Sequence, residues 1–254
     1  MYTKKDLLCD IEKMGLRPDD TLLIHSSMKA IGQVEGGADT VLNAFSEYLA
    51  DGLLVLPTHT WATVTPQHPD YDPETEPSCV GLLTNLFRQR PGVVRSLHPT
   101  HSVAALGRDA AGYVAGEEHC ASPCPREGCW GRLYNRRAKI LFLGCAMRYN
   151  TFLHSVEEWS DVPLRLTAEA FPFRVKTPAG WIETPVRRHE SPFGDVSRFY
   201  GKMQPLFVAK GAAKETRFGD AVCMLGDAVA MADITTACLR RNIQLFSDET
   251  PPAI

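Results

Sequence analysis

Three residues that can donate or accept protons stand three positions apart: Thr151, His154 and Glu157. On a helix, residues at this spacing share a face. A carboxylate there can hold the imidazole in one tautomer and stabilise its cation, which leaves the other ring nitrogen free as a base. The hydroxyl of Thr151 could donate to a developing oxyanion. The same spacing also describes an ordinary surface His–Glu pair, which is the more frequent outcome of the pattern alone.

A polar segment, His25-Ser26-Ser27-Met28-Lys29, stands at the predicted end of a short buried strand, and the pair Gly36-Gly37 follows at a predicted helix start. Hydroxyl groups, backbone amides and a helix N-terminus suit a phosphate or a pantetheine chain at the carboxyl edge of a sheet. The alternative is a polar turn followed by a glycine-assisted helix start. The chain has no Walker-type or dinucleotide-binding glycine motif, which argues against nucleoside triphosphates and dinucleotides.

A second polar segment runs from Arg95 to Ser102 and contains His98 and His101. Pro99 disfavours a helix there, and the two histidines alone make an incomplete set of metal ligands. The segment is therefore interpreted as a loop that positions polar groups.

An acidic stretch lies in a proline-rich region, residues 58–78, that shows no apolar period. Long irregular loops of this kind are often functional. Four carboxylates within seven positions usually indicate a solvated loop, although a polycationic ligand would give the charge a purpose. The four residues are Asp70, Asp72, Glu74 and Glu76.

The elements that must position these residues alternate between strands and helices. Short apolar runs at 21–24, 53–56, 102–106 and 139–143 predict strands, and apolar periodicity predicts helices between and after them, at 81–90 and 151–159 among others. Residues 171–190 predict a hairpin, and short strands near 206–225 precede a final helix capped by Asp227. The pattern predicts a single α/β domain over residues 1–254. A mixed sheet flanked by helices occupies 1–160, and an antiparallel β-rich section with the final helix occupies 161–254.

Composition narrows the classes of function. The 254 residues are 44% hydrophobic and 22% charged, which is enough apolar material for a sizeable core. A net charge of −3 argues against a nucleic-acid partner. The apolar runs are strand-sized and the N-terminus lacks an apolar signal-peptide core, so we expect no membrane span and a cytoplasmic location.

The eight cysteines are scattered along the chain, which predicts reduced thiols rather than a disulfide scaffold. Their one cluster, Cys120, Cys124 and Cys129, lacks the Cys-x-x-Cys pairs of a zinc ribbon. The sequence therefore predicts no metal site.

Five motifs occur in a fixed order between residues 21 and 159. They are His-Ser-Ser-x-x-x-x-Gly-x-Val-x-Gly-Gly-Ala, Leu-Pro-Thr-His-Thr-Trp, Tyr-Asp-Pro-x-Thr-x-Pro-Ser-x-x-Gly, Pro-Gly-x-x-Arg-Ser-x-His-Pro-Thr-His-Ser-x-Ala-Ala and Thr-x-Leu-His-x-x-Glu. In this combination the chain resembles the aminoglycoside 3-N-acetyltransferase family. The resemblance implies an α/β fold unlike that of the GNAT acetyltransferases, with acetyl-CoA as the acetyl donor.

The resemblance also implies a role for each matching residue. His154 would be the general base, Glu157 its partner and Thr151 a hydroxyl near the tetrahedral intermediate. The CoA site would be formed by Ser26, Ser27, Met28, Lys29, Gly36 and Gly37, with Arg95, His98 and Ser102 near it. One departure is Asn85, which stands where relatives commonly place a carboxylate, in the pattern Gly-x-x-x-Glu-x-Phe-Arg.

The resulting hypothesis is an N-acetyltransferase that transfers acetyl from acetyl-CoA to the 3-amino group of an aminoglycoside, by direct attack in a ternary complex. Asp70, Asp72 and Glu74 are expected to meet the cationic acceptor. Two alternatives remain open at this point: a different amine as the acceptor, and a non-catalytic CoA-binding protein. The sequence does not fix the oligomeric state.

Overall fold

A computed structural model describes residues 1–253. Its helices are α1 (Lys4–Lys13), α2 (Gly37–Tyr48), α3 (Leu82–Phe87), α4 (Ala110–Val114), α5 (Cys129–Asn135), α6 (Thr151–Trp159), α7 (Gln204–Ala209) and α8 (Ala228–Arg241). Its strands are β1 (Thr21–Ser26), β2 (Leu53–Pro57), β3 (Asp70–Tyr71), β4 (Val94–Arg95), β5 (Val103–Gly107), β6 (Lys139–Leu143), β7 (Phe171–Thr177), β8 (Gly180–Val186), β9 (Ala213–Phe218) and β10 (Ala221–Asp227). No helix in residues 1–253 is both long and apolar enough to cross a membrane.

The centre is a seven-stranded mixed sheet with the order β4-β5-β2-β1-β6-β10-β9. β1 pairs in parallel with β2 and β6, and the remaining pairs are antiparallel. Successive residues of β1 bury opposite faces of the sheet: Leu22 and Ile24 join one apolar cluster, and Leu23 joins the other. Because both faces of the sheet are covered, the sequence of β1 is a continuous apolar run and does not alternate between apolar and polar residues.

The predicted fold class, a mixed sheet flanked by helices, is confirmed. The antiparallel strands of the last third do not stand apart, because β9 and β10 pair onto β6 and complete the central sheet. The hairpin β7–β8 forms a second sheet with β3, a two-residue strand from the long proline-rich region. The helix predicted at 81–90 is shorter, and the region near 206–225 begins with the short helix α7.

The carboxyl ends of β1 and β6 meet at one edge of the central sheet. The amide N–H of Ser27 donates to the carbonyl of Leu143 at 2.9 Å, so the chain segments leaving the two strands stay close together. Gly144 follows β6 with φ +63°, and a Cβ at this position would lie 2.3 Å from the Cβ of Ala30. Only glycine fits here without displacing that neighbour. This edge carries the candidate site.

Candidate active site

A cavity of about 1380 Å³ opens at this edge of the sheet. Small-molecule pockets usually measure ~300–1,000 Å³, so this cavity has room for more than one ligand. Its wall combines the end of β1, the beginning of α6 and loops from across the chain. The segments that contribute are 25–32, 57–61, 79–84, 100–101, 144–154 and 188–197, together with Arg165.

His154 lies on this wall, with a buried chain of polar groups behind it. The hydroxyl of Tyr200 is 2.6 Å from His154 Nδ1 and donates to Glu157 Oε2. Arg165 Nε donates to the other carboxylate oxygen of Glu157 at 2.6 Å. His154 and Glu157 share one face of α6, as predicted. Their closest atoms are 3.7 Å apart, and the tyrosine hydroxyl bridges them.

This chain of bonds fixes the tautomer of His154. Because the Tyr200 hydroxyl gives its one proton to Glu157, it accepts from Nδ1–H of His154. Nε2 then carries the lone pair, and it has no partner among residues 1–253. Burial lowers the pKa of His154 well below its usual value, so the ring is neutral at neutral pH. The site therefore presents a neutral imidazole base backed by a buried carboxylate.

Thr151 lies one turn before His154, at the first position of α6. Its hydroxyl is 3.2 Å from His59 Nε2, and burial lowers the pKa of His59 well below its usual value. When the imidazole Nε2–H donates to it, the threonine hydroxyl is free to donate into the cavity. Next to it, Asn150 is fully buried at the cavity wall, and its side-chain amide has no hydrogen-bond partner among residues 1–253.

A second imidazole stacks on His154. The ring of His189 lies 4.2 Å from that of His154, with 21° between the planes, and it also lines the cavity. His189 Nε2 is 2.8 Å from Glu158 Oε1, and Glu158 also accepts from the hydroxyl of Ser122 and the amide of Cys124. Among residues 1–253, the donor atoms of Cys124, Glu158 and His189 also lie within 4.8 Å of one another, with His189 and Glu158 already joined by their hydrogen bond.

The predicted CoA residues separate into two groups. Ser26, Ser27, Met28 and Lys29 line the cavity. Gly36 and Gly37 lie at the start of α2 with positive φ and are not among the residues that line the cavity.

The predicted residues Arg95, His98 and Ser102 of the loop 95–102 point into the protein instead, whereas Thr100 and His101 of the same loop line the cavity. Arg95 donates to the carbonyls of Thr58 and Glu76, at 2.8 and 2.6 Å. His98 is fully buried, lies within bonding distance of the Ser122 carbonyl and accepts from two backbone amides of its own loop. Ser102 donates to the same carbonyl of Thr58 as Arg95 does. These groups hold the cavity loops in place and do not face the cavity.

The acidic stretch is also placed outside the cavity. Asp70 pairs with Arg174, and Asp72 pairs with Lys176 at 2.8 Å, which fastens the stretch to β7. Glu74 is exposed, and its carbonyl accepts from Arg88.

Two other carboxylates do line the cavity, those of Glu190 and Asp195. Asn85 is the position that departs from the family pattern. Its side-chain oxygen accepts from the amide of Ser78 and its side-chain nitrogen donates to the carbonyl of Ser78, which holds the turn before α3.

Comparison with known proteins shows the family to which this chain belongs. A model of the aminoglycoside 3-N-acetyltransferase family matches residues 23–240. The chain belongs to this family. Aminoglycoside N(3)-acetyltransferase VII of Streptomyces paromomycinus is 31% identical over 179 residues, which cover 63% of this chain and 62% of the relative. The chain therefore matches less than two thirds of the length of this relative.

Solved structures of the same kind share the fold over nearly the whole chain. The aminoglycoside acetyltransferase AAC(3)-Xa is 25% identical, with a TM-score of 0.83, covering 95% of this chain and 94% of that one. AAC-IIIb in a binary complex with CoASH is 23% identical, with a TM-score of 0.82, covering 94% and 97%. The expected family fold is confirmed.

Several groups at the site of this family member were not predicted from its sequence. Four of them lie 8 to 43 residues after Glu157, in the part of the chain where the motifs fade: Arg165, His189, Glu190 and Tyr200. Glu158 stands directly after Glu157, so its adjacency to the motif was the one available signal. The others reach the cavity only through the tertiary fold.

Proposed function

We propose that this protein is an acetyl-CoA-dependent N-acetyltransferase whose acceptor is an aminoglycoside amine. One observation carries the proposal: a neutral imidazole on a cavity wall, with Nε2 unpartnered and Nδ1 linked through Tyr200 to the buried carboxylate of Glu157. This is the arrangement that a general base for amine attack requires. Membership of the family, whose curated relative is named for aminoglycosides, supports the acceptor class.

The donor end of the cavity suits acetyl-CoA. Lys29 and Arg148 place cationic groups on the wall beside the hydroxyls of Ser26 and Ser27, which matches phosphate groups. The structural relative AAC-IIIb was solved with CoASH, which supports the same donor. When bound, acetyl-CoA supplies an acetyl group activated as a thioester.

In the proposed reaction, His154, Thr151 and the Tyr200–Glu157 pair have different roles. His154 Nε2 accepts the proton that the amine nitrogen loses during attack, and the Tyr200–Glu157 link stabilises the resulting imidazolium. The Thr151 hydroxyl, oriented by His59, donates to the developing oxyanion. A cavity that admits both substrates brings amine and thioester together without a covalent acyl-enzyme, so proximity supplies much of the acceleration. The mechanism assigns no step to a metal.

We assign the acceptor to the part of the cavity wall that carries carboxylates. Glu190 and Asp195 are the carboxylates of the wall, and the charge of Asp195 acts on His154, which places it near the base. The two carboxylates offer ion pairs to ammonium groups of the acceptor, and they replace the acidic stretch 70–76 in this role.

A turnover assay tests the proposal. The protein is mixed with acetyl-CoA and a panel of aminoglycosides and simple amines, and release of the free CoA thiol is followed, with mass spectrometry to locate the acetyl group. We expect thiol release with aminoglycosides and acetylation of the 3-amino group. Turnover of simple amines alone would refute the acceptor. CoA binding without turnover of any amine would refute the enzyme and favour a CoA-binding protein.

A further inference from the structure

The stacked imidazoles of His154 and His189 share one arrangement: one ring nitrogen of each is linked to a glutamate carboxylate. His154 has Nδ1 tied to a carboxylate through Tyr200, and His189 has Nε2 tied to Glu158 at 2.8 Å. Glu158 already accepts from Ser122 and Cys124, so the imidazole Nε2–H completes its bonds. That leaves Nδ1 of His189 with the lone pair and without a partner among residues 1–253. Both rings line one cavity.

N-acetylation of an amine requires removal of two protons from one nitrogen. An aliphatic amine arrives as an ammonium at neutral pH, because such amines have a pKa near that of lysine, ~10.4. One proton must leave before the nitrogen lone pair can attack the thioester carbon. The second leaves as the C–N bond forms and the C–S bond breaks, and one proton returns to the sulfur. One proton is released overall, and His154 accounts only for the proton that moves from nitrogen to sulfur.

We propose that His189, backed by Glu158, is a second general base that takes the first proton from the ammonium form of the acceptor. This inference rests on the proposed function. His189 accepts the proton at Nδ1 and gives its Nε2 proton to the carboxylate of Glu158, so the ring stays neutral and the proton passes to solvent after product release.

His189 must stay neutral because its ring stacks on that of His154. An imidazolium 4.2 Å from His154 would oppose protonation of the second ring. Burial raises the pKa of Glu158 to about 7, so this carboxyl can hold a proton near neutral pH. His101 packs edge-on against His189. The other titratable or charged groups around the two rings and Glu158 are His59, His98, Cys124, Glu157, Arg165, Arg187 and Asp195. The carboxyl of Glu158 is the neighbour that bonds His189 directly.

The pH dependence of kcat/KM for the acceptor tests this role in His189→Gln. We expect a loss of ~100-fold at pH 6.5, where the acceptor amine is an ammonium, shrinking to less than ~3-fold near pH 9.5. There about a tenth of an amine of pKa ~10.4 arrives neutral, roughly a thousandfold more than at pH 6.5. Glu158→Gln should show the same trend. His154→Gln, the matched control, should lose activity equally at both pH values, and calorimetric CoA binding checks the fold of each variant.

A loss in His189→Gln that is the same at both pH values, or no loss at either, would overturn the inference. If His189→Gln does not bind CoA, the pH trend of Glu158→Gln decides, and a flat trend there overturns the inference as well. A wild-type protein that acetylates no amine would refute the proposed function itself. Wild-type turnover with a flat variant profile would refute only the second base.

Discussion

At the scale of single residues, the proposed base depends on a hydroxyl that comes from another part of the chain. Tyr200 stands between His154 and Glu157 and is fully buried. Without the hydroxyl, His154 keeps its place on α6 but loses the link that fixes its tautomer and stabilises its cation. Catalysis should therefore be more sensitive to this atom than donor binding is.

Tyr200→Phe should lower kcat by ~10–100-fold and leave the KM for acetyl-CoA nearly unchanged, because the lost interaction acts on the base during proton transfer. Steady-state kinetics with varied acetyl-CoA measure both constants. Tyr48→Phe is the matched control, since it also removes one hydroxyl, bonded to the Leu16 carbonyl away from the cavity. Equal losses in the two variants would mean that the effect is a general loss of stability.

Two carboxylates are expected to select the acceptor. Glu190→Gln and Asp195→Asn should each raise the KM of an aminoglycoside by ~10-fold, and the effect should shrink at high salt because ion pairs are screened. Asp70→Asn, which removes a carboxylate already paired with Arg174 outside the cavity, should leave this KM unchanged. A KM that responds to Asp70 and not to Glu190 or Asp195 would restore the acidic stretch as the acceptor site.

At the scale of elements, the site depends on how closely the segments after β1 and β6 approach each other. Gly144 permits this approach, since a Cβ there would lie 2.3 Å from Ala30, whose neighbours Ser27, Met28 and Lys29 line the cavity. A side chain at this position must push the donor edge apart. The position of residues 27–29, which we assign to the CoA site, therefore depends on the glycine at position 144.

Gly144→Ala should reduce the free energy of unfolding by ~1–3 kcal/mol more than Gly211→Ala does, as expected for overpacking in a filled space. Gly211 also has a positive φ, but its added Cβ would meet nothing within 4 Å, so the pair of variants separates the clash from backbone strain. Urea denaturation measures the difference. Equal destabilisation by the two alanines would show that the close approach to Ala30 is not constraining.

The sequence predicted the elements that carry periodic patterns. Helix α6 was predicted with the bounds it has, because its apolar residues repeat at helical spacing and its three polar residues share a face. The two-residue strand β3 could not be predicted, since it exists only through its pairing with β7, and the salt bridges of Asp70 and Asp72 span 104 residues. For the same reason the sequence of the stretch 70–76 predicted a cationic ligand. In the structure, Arg174 and Lys176 of the protein itself neutralise part of its negative charge.

At the scale of the whole molecule, burial of imidazoles is the dominant electrostatic feature. Six of the eight histidines lie around the cavity with lowered pKa values. His25, His59 and His98 are buried, and His101, His154 and His189 are partly buried. Burial disfavours the charged form of each ring, and the rings also disfavour one another's protonation. The folded protein therefore holds them neutral, and its stability depends on pH.

Stability should fall as the pH drops below about 6.5. Burial lowers the pKa of His25 and His189 to about 3 and that of His98 to about 4, so between these values and the ordinary value of 6.5 the unfolded chain binds protons that the folded chain does not. The raised pKa of Glu158, about 7, acts in the opposite direction and offsets about one proton. The six imidazoles outnumber the three buried carboxyls whose pKa is raised, Glu117, Glu157 and Glu158, so unfolding takes up a net excess of protons in this range. Each proton of that excess costs about 1.4 kcal/mol of the free energy of unfolding per pH unit.

Urea denaturation at pH 7.0, 6.0 and 5.0 measures this slope. His25→Phe should reduce it by about one proton, because His25 lies buried against Trp130 and Phe142. His119→Gln, at an exposed side chain, is the control and should leave the slope unchanged. A free energy of unfolding that stays level from pH 7.0 to 5.0 would contradict the account of the buried imidazoles.

The base assigned to His154 is tested most directly by acetyl transfer in His154→Gln. The account predicts that kcat falls by ~10²–10⁴-fold while the calorimetric affinity for CoA stays within about 2-fold of the wild-type value, because the imidazole acts on the proton and not on the donor. The loss should persist from pH 6.5 to 9.5. A variant that binds CoA normally and acetylates its acceptor at close to the wild-type rate would contradict the assignment of His154 as the base.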